Sequence, residues 1–477
     1  MLKLFNTLTK NKESFKPLKE EVVTMYNCGL TVYDYATIGN LRAFTFADVL
    51  RRYLEYKGFT VKQVMNFTDV GHMFHDVDVG EDKMATAAER EKKDPWAIAD
   101  FYIKVFLEDA KKMNFEEPMV RPRATDHIDD MIGLIQKLIE NDYAYVVNGS
   151  VYFDVAKFKD YGRLSGNTIE KLKTGAGGRV EYNPDKRNQF DFALWVNDSR
   201  HIMNWKSPWC EKGYPGWHIE CSAMSIKYLG ETIDIHTGGV DNLFPHHENE
   251  IAQSEAATGK KFVNYWLHCE HLLVEGQRMG KSLGNFYTLN DLIAKGHDPK
   301  ALRYLLLSGH YRQQFNFTFE GLEGAKAAID RLINFMYRLI DANGKGCGDE
   351  IKRLMDRVQK DFSEAMDDDL NTGVALAALF EFAREVNNLI DDDKLSKEEA
   401  QKVYTLMVGF DKVLGVIGDV EKEEKLSEEA EELIRKREEA RKAKDWKTAD
   451  QIRVQLKTMG IIIEDTPQGL RWRIEKH

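Results

Sequence analysis

Residues 21–67 read as strand, helix, strand, and that order commits the N-terminal part of the chain to a parallel sheet. Residues 21–27 (EVVTMYN) form a β-branched run that ends at Cys28-Gly29. From Asn40 onward Leu41, Phe44, Val49, Leu50, Tyr53 and Leu54 recur at helical spacing until Gly58 stops the pattern. Residues 60–67 (TVKQVMNF) supply the second strand. Two strands joined through a helix pair in parallel, and parallel sheets take their ligands beyond the carboxyl ends of the strands. The loop 29–39 lies at such an end, so a binding site is expected there.

The same alternation returns around Ile233 (TIDIHTGG) and Tyr265 (NYWLHCEHLLVEG). Between the two halves, 126–200 looks like an insertion: helical 128–141, strand-like 143–153, then a Gly- and Lys-rich stretch near 171–179. From Leu292 to Leu414 the pattern is almost purely helical, and the tail from Lys425 holds a helix followed by a β-like end at 461–473. A chain of 477 residues exceeds one core. The expected organisation is an α/β domain in two halves, 1–125 and 201–290, split by the inserted 126–200. A helical bundle (291–422) and a small α/β domain (423–477) follow.

No run of about 18 apolar residues occurs, so no membrane span is expected, and Met1-Leu-Lys-Leu-Phe-Asn-Thr-Leu lacks the apolar core of a signal peptide. Five cysteines, an odd and sparse set, do not make a secreted disulfide framework, which points to the cytoplasm. The net charge of −11 argues against a general nucleic-acid binder. The charge is uneven, however: 421–432 holds seven acids, while 435–457 carries nine bases against four acids. An acidic body with a local basic patch suits contact with a polyanion at chosen places.

Three segments suggest a nucleotide site. In Thr37-Ile38-Gly39-Asn40, Gly39 allows close backbone approach to a phosphate and Asn40 sits where a helix begins, with free N–H groups and the positive dipole end. Gly276-Gln-Arg-Met-Gly-Lys-Ser-Leu-Gly-Asn285 places Lys281 on a glycine-flanked loop that can close over developing phosphate charge. His236-Thr-Gly-Gly-Val-Asp241 sets Gly238 and Gly239 after a strand to admit an adenosine, and Asp241 to accept from ribose hydroxyls. Metal ligands lie between these segments. His246 and Glu250 stand four apart at a helix start with Pro245 in its first turn, and Cys221 lies on another helical stretch. With Cys28 they make a legitimate tetrahedral zinc set, in which His247 or Glu248 could substitute.

Taken in order, these segments resemble the cysteinyl-tRNA synthetases, a family of class I aminoacyl-tRNA synthetases. Tyr26-Asn-Cys-Gly-Leu-Thr-Val-Tyr-Asp34 with Thr37–Asn40 is similar to the family's HIGH region, and Arg278-Met279-Gly280-Lys281-Ser282 to its KMSKS loop. Gly216-Trp-His-Ile-Glu-Cys-Ser-Ala-Met224, 244–250, Asp367-Asp-Asp-Leu-Asn-Thr372, 443–450 and 464–469 extend the likeness nearly end to end. The resemblance implies a Rossmann-like catalytic domain, a stem-contacting bundle and an anticodon-contacting tail. It also implies one zinc ion on Cys28, Cys221, His246 and Glu250, a cysteine pocket containing Trp217 and His236, and an ATP-contacting Lys281. ATP with Mg²⁺, L-cysteine and tRNA-Cys would be the partners of a monomer.

The implied chemistry is coherent. Shape separates sulfur from oxygen poorly, whereas zinc prefers a thiolate to a neutral hydroxyl. The cysteine carboxylate would attack the α-phosphate of ATP, and a terminal ribose hydroxyl of tRNA would then accept the acyl group, with positioning and charge stabilisation doing the catalysis. Two positions depart from the family pattern: Thr37 and Asn40 stand where HIGH has histidines. A hydroxyl cannot supply imidazolium charge, which leaves more of the stabilisation to Lys281. A ligase joining cysteine to an amino-sugar would not need the basic tail with Trp446 and Trp472. A silent zinc- and tRNA-binding paralogue would not need Lys281.

Overall fold

The computed structural model describes the chain outside residues 73–81, 174–181, 281–282, 419, 421–426, 467–468 and 475–477. The chain divides into two compact units, Met1–Gly418 and Asp419–His477. At the centre of the first lie four parallel strands, β1 (Val22–Thr31), β2 (Thr60–Thr68), β3 (Ile233–Gly239) and β4 (Val263–Cys269), in the order β4-β3-β1-β2. Helix α1 (Ile38–Tyr56) connects β1 to β2, α2 (Trp217–Leu229) precedes β3, and α3 (Glu248–Thr258) connects β3 to β4. The two crossovers leave β1 and β3 side by side and run outward in opposite directions. Such a reversal opens a crevice at the strands' carboxyl ends.

The first strand runs beyond the expected 21–27. It continues to Thr31 through an irregularity in its register with β2 between Asn27 and Leu30. Gly29 explains the continuation: a Cβ there would stand 1.5 Å from the backbone oxygen of Asn66, so only glycine lets β1 lie this close to β2. Helix α1 starts at Ile38 rather than Asn40, because Thr37 is its N-cap. The Thr37 hydroxyl accepts from the Asn40 N–H (3.1 Å), and the Asn40 Oδ1 accepts from the Thr37 N–H (2.9 Å) and hydroxyl (2.8 Å).

Ala144–Val147, Ser150–Phe153 and Phe192–Val196, all within 126–200, form an antiparallel sheet whose fourth strand, Tyr214–Pro215, lies beyond the expected insertion. Beyond it, Leu272–Val274 pairs with Gln277–Arg278 and with Phe315–Phe317, a short strand inside the otherwise helical region. Helices Phe319–Asp341, Asp349–Asp367, Thr372–Asp391 and Lys397–Leu414 follow, each burying an apolar stripe. Arg303, fully buried, fastens this bundle to α1. Its Nη2 donates to Asp48 Oδ2 (2.6 Å) and its Nε to the Leu414 carbonyl (2.7 Å).

The second unit pairs helices Glu428–Lys442 and Trp446–Thr458 with a hairpin of Ile461–Thr466 and Gly469–Ile474. Ala430, Ile452, Leu456, Ile461 and Ile463 form its core. Arg437 forks onto both oxygens of Asp465 at 2.9 and 2.7 Å, fixing the first helix to the hairpin.

Candidate active site

Cys28, Cys221, His246 and Glu250 converge from four elements, with one donor atom of each within 4.8 Å of the others. The irregularity in β1 carries Cys28, and α2 carries Cys221. The turn Leu243–His247 carries His246, one step before α3 supplies Glu250. His246 thus precedes the helix proper, because Phe244 is extended, yet its Nε2 still meets Glu250 Oε1 at 3.2 Å. Cys28 Sγ stands 3.9 Å from Cys221 Sγ and 3.7 Å from Glu250 Oε1. A tetrahedral zinc with bonds of about 2.0–2.3 Å spaces its donors about 3.3–3.8 Å apart, so these residues fit the ion in both spacing and donor chemistry.

A second grouping, Cys28, His236, His247 and Glu250, is equally tight. The cavity separates the two. Cys28, Cys221 and His246 line a cavity of about 560 Å³, and His236 and His247 do not. His236 lies beneath the cluster rather than in the pocket where it was expected. It is wholly buried, stacked on Trp266 with centroids 4.5 Å apart, and its Nε2 meets Glu250 Oε2 at 3.0 Å. His247 is tied to His268 through Nδ1 (2.8 Å), and burial, then the neighbouring His236, His268 and His246, hold it well below the usual imidazole range. Glu248 turns away to accept from the Ser165 N–H at 2.8 Å. Of Cys28, Cys221, His246 and Glu250, the first three face the cavity and Glu250 lies buried behind them.

Burial pushes the Cys28 thiol well up, with Cys221 and Glu250 adding to the effect. The hydrogen bond with Cys28 draws Cys221 down, but burial and the carboxylates of Glu250 and Glu220 outweigh it and the thiol ends raised. Packed this closely, the donors suit a cation. Asn66, which sequence reasoning missed, braces the pair of thiols. Its Oδ1 accepts from the Gly29 N–H (3.0 Å) and faces Cys221 Sγ (3.7 Å), while its Nδ2 donates to Thr68 Oγ1 (3.2 Å). The signal was three polar residues, Gln63, Asn66 and Thr68, within the buried part of β2, 63–68.

Thr37, Gly39, Asn40, Trp217, Gly239 and Asp241 line the same cavity, joined by Arg278 and Lys83. In the first turn of α1 the Ile38 N–H goes to the Tyr287 carbonyl (3.0 Å) and that of Asn40 to Thr37. Gly39 is left to offer its N–H, and Asn40 its side-chain Nδ2, to an anion. The lysine-bearing segment reaches this helix end: Thr37 bridges Thr288, and a Cβ on Gly39 would stand 3.2 Å from Met279 Cε. Lys281 itself lies outside the described residues. Gly238 permits another close approach, since a Cβ there would stand 2.6 Å from His247 Cε1. Trp217 packs against His246 at 5.2 Å between centroids, and Lys83 Nζ lies 4.4 Å above its ring.

Fold and site together define a class I aminoacyl-tRNA synthetase. The model of tRNA synthetases class I (C) catalytic domain matches residues 14–327, the DALR domain matches 361–418, and the cysteinyl-tRNA ligase anticodon binding domain matches 423–473. The methionyl-tRNA synthetase of Mycobacterium tuberculosis, solved with methionyl-adenylate, superposes with a TM-score of 0.59 at 14% identity over 82% of this chain and 89% of that one. The chain is 45% identical to the cysteine–tRNA ligase of Thermus thermophilus, covering 100% of both. It is also 45% identical to that of Caldicellulosiruptor saccharolyticus, covering 98% and 99%. It belongs to the cysteine–tRNA ligase family.

Proposed function

We propose that this chain ligates L-cysteine to tRNA-Cys in two steps, forming cysteinyl-adenylate from ATP with release of diphosphate and then transferring cysteine to the 3′-terminal ribose. The observation that carries this reading is the opening of two thiols and an imidazole, backed by the buried Glu250 carboxylate, onto the cavity that also holds a nucleotide-type helix start. One zinc per chain, held by Cys28, Cys221, His246 and Glu250, would supply a preference for ionised sulfur over a neutral hydroxyl, the property that separates cysteine from serine. His236 orients Glu250 from below, and Trp217 walls the space beside His246.

The N–H of Gly39 and the amide of Asn40 receive phosphate oxygens of Mg-ATP at the start of α1. Gly239 and Asp241 take the adenosine end. The Thr37 hydroxyl is committed to the capping box, so it organises this helix end and leaves charge stabilisation to Arg278 and Lys281. The match of an anticodon binding domain over 423–473 supports tRNA as acceptor over an amino-sugar. Cysteine-dependent exchange of diphosphate into ATP tests the reading. Exchange with cysteine and none with serine is expected, and a purified protein that binds tRNA without any exchange would overturn it.

A further inference from the structure

Among the described residues of the first unit, the exposed aromatic rings are Tyr35, Trp96, Phe101 and Tyr182. Three of the four belong to one neighbourhood, the loop entering α1 and the helix Pro95–Lys112. Tyr35 and Phe101, each 37% exposed, meet edge to face at 6.4 Å, and both rest on the buried ring of Tyr102 at 5.1 Å. Tyr33, Asp34 and Tyr35 line the cavity, so this pair of rings stands at its mouth. Lys93 Nζ lies 4.6 Å over the Phe101 ring, and the exposed Lys104 follows Phe101 by three residues on the same helix face.

Three of the acids nearby are partnered. Glu91 is held by Tyr102, Arg90 and Lys93, Asp94 caps the helix, and Asp100 pairs with Arg123 at 2.6 Å. Exposed aromatic rings beside the exposed Lys104, and beside Lys93, which is shared between Glu91 and the Phe101 ring, are elements of the kind that hold single-stranded nucleic acid: rings stack bases without regard to sequence and cations follow the phosphates. A protein or lipid partner would be expected to call for a larger continuous apolar area than two rings rimmed by lysines.

We propose that Phe101 and Tyr35, rimmed by Lys93 and Lys104, form a stacking shelf for the unpaired 3′ end of the acceptor tRNA as its terminal ribose enters the cavity. The proposal rests on the ligase reading above. The shelf would act on the second step alone, holding the penultimate bases while the terminal nucleotide reaches the adenylate.

The test uses the full chain with Phe101→Ala, Phe101→Trp and Lys93→Glu, and two RNA acceptor-stem hairpins, with and without an unpaired 3′ tail. Wild type should prefer the tailed hairpin. Phe101→Ala should weaken the tailed hairpin about tenfold, as expected for one lost stacked base, and leave the tailless one unchanged. Phe101→Trp should restore the preference, and Lys93→Glu should weaken tailed binding with a smaller salt dependence. Cysteine-dependent diphosphate exchange, measured on the same samples, should be equal in all of them, which also shows that they are folded. Tailed binding and tRNA charging unaffected by Phe101→Ala, with exchange intact, would overturn the shelf alone. Absence of exchange from wild type would overturn the ligase reading and the shelf with it.

Discussion

Replacing Asn66 by alanine isolates what braces the metal cluster. Asn66 is 1% exposed and its side chain faces both sulfur-bearing segments, the Gly29 N–H beside Cys28 and the thiol of Cys221. The close approach of the strands uses the backbone oxygen of Asn66, so the substitution leaves that contact in place and removes only the amide. One part-buried N–H then loses its partner, a loss of about 1 kcal/mol in folding stability. Freed of this brace, the two thiols should hold zinc about 10–100-fold less tightly, the usual effect of removing a residue that orients ligands. Competition against a chromophoric chelator reads the affinity, and denaturant unfolding reads the stability. Thr24→Val is the control. It breaks a part-buried bond at the other end of β1, from the Thr24 hydroxyl to Asp234 at 2.7 Å, and should cost stability without touching zinc affinity. Equal zinc affinity in Asn66→Ala and wild type would refute the bracing role.

Further outcomes follow from the same geometry. Asn40→Ala should slow diphosphate exchange about 100-fold or more with little change in the KM for cysteine, because it removes a donor from the phosphate end alone; an unchanged exchange rate would contradict that placement. Thr37→Ala should lower stability by about 1 kcal/mol through loss of the cap, while Thr37→Ser keeps both exchange and stability. Asp109 is buried without a hydrogen-bond partner, and burial pushes its carboxyl up to about 6 from an ordinary 3.8, with Lys112 pulling down and Glu108 adding to the rise. A carboxyl whose folded pKa is raised carries no penalty below the unfolded value and a growing one as pH climbs to the folded value. Asp109→Leu should therefore stabilise the protein by about 2–3 kcal/mol at pH 7.5 and by much less at pH 4; equal gains in melting temperature at both pH values would contradict it. Deleting 419–477 should spare exchange and impair charging of tRNA, measured on the same preparation.

Much of the sheet was legible because its strands are buried runs with glycine and polar punctuation, and the helices because their apolar stripes are regular. The irregularity at Cys28-Gly29 was not, since it depends on how near the backbone of Asn66 comes, a contact made 37 residues away. The start of α1 was misplaced by two residues because Thr37 and Asn40 are both good caps, and only the reciprocal bonds between them show which one serves. The four ligand candidates were legible as residue types, whereas the choice against His247 and Glu248 rests on where the cavity opens and on Ser165 from the inserted part. Lys83 belongs to no recognisable spacing, and Asn66 stands out only as a polar residue in a buried strand, so the folded arrangement is what gives both a place in the site.

On the proposed reading, ionised substrate sulfur is recognised at the cluster of Cys28, Cys221, His246 and Glu250, and cobalt replacement reads this directly. On addition of free cysteine to the cobalt-loaded protein, the sulfur-to-cobalt charge-transfer absorption should strengthen, and serine at the same concentration should leave it unchanged. A spectrum indifferent to cysteine, in a protein that still exchanges diphosphate when cysteine is present, would contradict the account.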